Sequence, residues 1–124
     1  MVRTLIVIGA ALAAIAVVLG AFGAHALEQR LSERALNTWH TGVQYHFIHA
    51  LGLLLIAALW SQLASGWATA AAAAFIAGVL LFAGSLYGLA LGAPRVLGAV
   101  APVGGTLFIL GWIAVAIAAW RAGG

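Results

Sequence analysis

Four long apolar runs, at about 4–26, 39–60, 67–91 and 96–120, constrain this chain more than any motif within it. Each reaches the roughly 20 residues that a helix needs to cross a bilayer. In lipid the backbone must satisfy its own polar groups, which leaves the α-helix as the form such a run can take. Short connections between the runs predict antiparallel neighbours. The expected fold is therefore all-α: an integral membrane four-helix bundle with up-down connections, forming one transmembrane domain over 1–124. Composition agrees. Hydrophobic residues make up 66% of the 124, against five basic and two acidic ones, and mean hydropathy is +1.20. Seven charges cannot cover the surface of a soluble domain this size, but lipid asks for few.

Several function classes fall away at once. The chain has no cysteine, which removes disulfides, thiolate catalysis and cysteine-ligated clusters. Five scattered arginines make no basic face, so nucleic acid is not an expected partner. They read instead as anchors at the membrane interface, with membrane lipid as the expected neighbour. The start of the chain imitates a secretory signal, with Arg3, an apolar core and Ala24-His25-Ala26. The first run is longer than a signal core, and three further spans follow it, so it reads as a span.

Leu27 to Thr38 is the one strongly polar segment, and a short amphipathic connector is expected over about 27–38. Within it, Ser32 followed by Glu33 resembles a helix start. The second span opens at Trp39. On a helical projection Thr38, Gly42, Tyr45, His46, His49 and Gly52 fall in a stripe of roughly 120°, while His40 projects elsewhere. The third span carries Gly84, Gly88 and Gly92 at four-residue spacing, a pattern for close helix contact inside the bundle or between two copies of the chain. Pro102 with Gly104 and Gly105 predicts a kink or local unwinding in the fourth span.

Alternating direction places the end of span one, the start of span two, the end of span three and the start of span four on one membrane face. His25, Tyr45, His46, His49, Ser85, Tyr87 and Pro102 thus share one half of the bilayer. Ionisable groups in such a place define a candidate site. Orientation is not set by charge: Arg30, Arg34 and Arg95 lie on that face, Arg3 and Arg121 on the other.

Four motifs occur in order: Leu19-Gly20-Ala21-Phe22-Gly23-Ala24-His25, Thr41 to Leu51, Phe82-Ala83-Gly84-Ser85-Leu86-Tyr87, and Ala101-Pro102-Val103-Gly104-Gly105. Together they make the chain similar to the YgdD-like family of small inner-membrane proteins, a family of unknown function that includes mitochondrial-type eukaryotic relatives. The resemblance covers nearly the whole chain. It implies a multi-pass protein of the bacterial inner (plasma) membrane with four spans. Its motifs map onto His25, Tyr45, His49, Ser85, Tyr87, Pro102 and Gly104, and it implies no cofactor or activity.

Three readings of the polar patch follow from its residue types. His46 and His49, one turn apart, can face one metal ion, with His25 and Glu28 as further ligands, or a histidine pair can hold haem. Alternatively, the same side chains lock the helices through hydrogen bonds and bind nothing. The favoured reading is non-enzymatic: the patch binds a lipid-like molecule or a partner helix. Hydrolytic chemistry at Ser85 lacks an acid to orient a histidine base.

Overall fold

Ser32 sets where the second helix begins. Its side-chain oxygen accepts a hydrogen bond from the Ala35 N–H at 3.1 Å, and Glu33 follows in the first turn, where an acid suits the helix dipole. In the computed structural model, which describes residues 1–123, that helix runs Glu33–Ala58. The polar stretch 33–38 is therefore the opening of a membrane helix rather than a separate amphipathic connector. The break itself is a turn in which the Arg30 and Leu31 N–H groups both reach the Leu27 carbonyl.

Four helices result: α1 Val2–Leu27, α2 Glu33–Ala58, α3 Ser65–Ala90 and α4 Leu97–Ala122. Each has 26 residues, about 39 Å of rise, enough to cross a hydrocarbon layer of roughly 30 Å. The described residues contain no strand. Close packing joins α1 to α2, α3 to α4, and α2 to α3. By contrast, α2 and α4 meet through side chains rather than by close backbone approach.

Two helices are not uniform. Val18–Gly23 in α1 and Val79–Ala83 in α3 are π turns, in which the Ala24 N–H bonds the Leu19 carbonyl and the Gly84 N–H bonds the Val79 carbonyl. Local unwinding at Pro102 is absent: α4 continues through it as helix. Gly104 instead lets α4 approach the backbone of Phe82 in the α3 π turn, where a Cβ has no room. Gly105 is in ordinary contact range of the Phe82 ring.

The core is built by rings seated on glycines. A Cβ on Gly52 of α2 would lie 2.9 Å from the Phe75 ring of α3, and one on Gly111 of α4 would lie 2.6 Å from it. Phe75 is fully buried there, with Leu53 and Ile56 beside it. The Phe108 ring sits on Gly78, Tyr87 on Gly42 and Trp39 on Gly23. Glycine spacing thus makes sockets for aromatic knobs, and dispersion contacts replace the hydrophobic drive that lipid does not supply.

The third-span glycines divide differently from the expected packing face. Gly84 has nothing within 4 Å of a Cβ position, whereas Gly88 meets Leu97 at the start of α4. Gly92 ends α3. At φ +94 it adopts a left-handed conformation, its N–H bonds the Leu89 carbonyl, and the Ala93 N–H bonds the Gly88 carbonyl. That is a Schellman stop, which favours glycine for its missing Cβ.

Candidate functional site

α2 carries the polar groups that tie the bundle together, one to each other helix. Trp39 Nε1 donates to the Leu19 carbonyl of α1 at 2.9 Å. His46 Nδ1 pairs with the Tyr87 hydroxyl of α3 at 2.8 Å. His49 Nε2 accepts from Trp112 Nε1 of α4 at 3.0 Å. The first bond reaches the carbonyl that also closes the α1 π turn, so the turn and the indole are matched.

The His49 ring is fully assigned by its neighbours. Nδ1 lies 2.7 Å from the Tyr45 carbonyl, which only accepts, so Nδ1 carries the hydrogen. The Trp112 indole only donates, so Nε2 has none. The ring is a neutral imidazole, 3% exposed, stacked on Phe108 with centroids 3.5 Å apart and planes 8° from parallel. Either nitrogen would have to break an existing bond before ligating a metal. His46 is equally buried, and its Nε2 has no hydrogen-bond partner among the described residues. The Leu12 backbone faces that ring from α1, outside hydrogen-bonding geometry.

The residues singled out in the sequence do not form one patch. His46 and His49 turn to different helices. His25 is exposed at the end of α1, where it lines a separate hollow with Glu28 and His40. Ser85 is buried, but the hydrogen bonds of His46 and His49 run to other groups. No group of three His, Cys, Asp or Glu side chains is placed to hold a metal ion among the described residues. The buried donor set offers two imidazoles, of which His49 is engaged at both nitrogens and His46 at Nδ1. Haem ligation meets the same obstacle at His49.

What the structure adds is an aromatic cleft of about 540 Å³ where α2 and α4 stand apart over α3. Tyr45, Ile48 and His49 form one wall, Phe82 the floor, and Pro102, Gly105, Thr106, Phe108, Ile109 and Trp112 the other wall. Its size falls in the range of small-molecule sites. Ile48 and Ile109 are exposed at its mouth, so on a membrane helix it opens sideways to lipid. Tyr45, 41% exposed, packs on Phe82 at 5.0 Å and lies nearly parallel to both Phe108 and His49. Phe82, Phe108 and Trp112 were not among the sequence candidates. The available signal was Phe108 and Trp112 one turn apart in the fourth span, the spacing that puts two rings on one face.

Fold and site together define a four-span integral membrane protein in which His46 and His49 are buried between helices and an aromatic cleft opens beside them. Residues 19–105 match the family described as "Protein of unknown function (DUF423)", and the chain belongs to that family. It is 48% identical to the UPF0382 membrane protein YwdK of Bacillus subtilis, over 94% of this chain and 96% of that one. A UPF0382 membrane protein of Staphylococcus epidermidis is 41% identical over 98% and 99% of the two chains. One from Haemophilus influenzae is 39% identical over 85% and 84%. No solved structure matches the chain.

Proposed function

We propose that this chain is a non-enzymatic membrane protein that holds a neutral lipid-like molecule in the cleft between α2 and α4. The same reading places it with the YgdD-like members of the family, in the inner membrane. One observation carries the proposal. The polar atoms behind the cleft are bonded to one another, whereas the Tyr45 hydroxyl in its wall has no hydrogen bond among the described residues. A hydroxyl at this depth costs free energy unless something accepts from it. His46 and His49 act in this reading as bundle locks, which leaves the cleft itself free for an occupant.

Mass spectrometry of small molecules that co-purify with the full chain in lipid nanodiscs tests this. Gly105→Leu, which projects a side chain into the cleft, is expected to remove a species that the unaltered chain retains. Identical profiles from two folded proteins would overturn the proposal.

A further inference from the structure

Within the cleft reading, on which this step rests, we infer that the occupant is a flat carbonyl-bearing ring on a hydrocarbon tail, the chemistry of a membrane quinone. The first ground is charge. No Asp, Glu, Lys or Arg lines the cleft. The site therefore offers nothing to a carboxylate or a phosphate headgroup, which would enter at a large desolvation cost. Depth reinforces this. Tyr45 lies about 18 Å along α2 from its start and Thr106 about 14 Å along α4, both well below the polar face where the arginines sit.

The second ground is shape. The rings of Tyr45, His49 and Phe108 are mutually near-parallel, with interplanar angles of 12°, 16° and 8°. His49 and Phe108 are 3% and 4% exposed, so the half-open Tyr45 ring is the surface offered. It favours a planar guest at about 3.5 Å over a flexible chain that meets it at isolated atoms. The third ground is the donor inventory. The Trp112 indole donates to His49, His49 Nδ1 donates to the Tyr45 carbonyl, and the Thr106 hydroxyl donates to the Pro102 carbonyl. That leaves the Tyr45 hydroxyl as the donor free to meet a ligand, and a ring carbonyl is a matching acceptor. The exposed Ile48 and Ile109 at the mouth give a tail its path into lipid.

Equilibrium binding to the full chain in phosphatidylcholine nanodiscs tests the class, with three probes: a 1,4-naphthoquinone bearing one isoprenoid unit, palmitate and monoolein. The quinone is expected to bind at one per chain. Tyr45→Phe should weaken it about three- to tenfold, the value of one hydrogen bond, and Gly105→Leu should abolish binding. Should Gly105→Leu not fold, Ile109→Trp at the mouth serves as the blocking variant. If palmitate or monoolein binds in a manner sensitive to the blocking variant and the quinone does not, the quinone assignment is wrong and the cleft reading stands. If no probe responds to the blocking variant, both are wrong. Quinone binding unaffected by Tyr45→Phe would remove the hydroxyl from the argument and overturn the carbonyl assignment.

Discussion

The indole of Trp112 and the imidazole of His49 are joined by a 3.0 Å hydrogen bond that settles which nitrogen of the histidine carries its proton. Because Nδ1 already donates to the Tyr45 carbonyl, the bond is possible only for the neutral ring. A residue that reads in sequence as a ligand candidate is thus a fastener between α2 and α4.

Trp112→Phe is expected to lower stability by about 1 kcal/mol, at the upper side of what one interhelical hydrogen bond contributes in lipid. His49→Ala should cost more, about 2–4 kcal/mol, since the Phe108 stacking partner and its volume are lost with the bond. Denaturant unfolding in mixed micelles measures both. A double-mutant cycle should show coupling beyond about 0.5 kcal/mol. Simple additivity would mean that the bond contributes nothing.

The glycine sockets predict a sharp division among alanine substitutions. Gly78→Ala and Gly111→Ala should each cost about 1–3 kcal/mol by overpacking against Phe108 and Phe75. Their Cβ atoms would come within 2.5 and 2.6 Å of those rings. Gly84→Ala, facing open space, should be neutral or stabilising by up to about 1 kcal/mol. Equal losses at all three positions would contradict the socket arrangement.

At Gly92 the cost comes from the backbone alone. No atom lies within 4 Å of its Cβ position, yet φ is +94. Gly92→Ala should therefore destabilise by about 1–2 kcal/mol, and Gly92→Asn by less. Thermal unfolding of the two variants in one detergent checks the order.

Chelation provides the test of the ligand reading of the histidines. With both His49 nitrogens engaged, treatment with a strong chelator should leave the thermal unfolding midpoint unchanged, and the visible spectrum should show no Soret band. Stoichiometric metal, or a Soret band, lost on His49→Ala would show that the hydrogen bonds give way to ligation.

The fold was legible because its cause is spread over whole spans. Four apolar runs and Ser32-Glu33 are enough to place four helices. The site was legible only in part, and the π turns explain where the reading failed. Each adds a residue to its turn, which shifts the face of everything beyond it by about 100°. His25 follows the turn at Val18–Gly23 and faces a hollow with Glu28 and His40 rather than His46 and His49. Gly84 follows the turn at Val79–Ala83 and faces open space rather than a helix. α2 has no such turn, and of its expected stripe His46 and His49 are buried against different helices while Tyr45 is exposed. Phe108 and Trp112 escaped notice because an aromatic ring in an apolar span carries no polar signal.

The three bonds from α2 also bear on motion. Trp39, His46 and His49 fasten one helix to three neighbours at three heights. Turning α2 about its axis would break all of them together, so its azimuth is fixed like a shaft pinned at several stations. Each neighbour is held by a single such pin, at Leu19, Tyr87 and Trp112, and α1 is the least buried of the four helices. Any rearrangement that preserves the pins therefore leaves the azimuth of α2 unchanged and moves its neighbours about it.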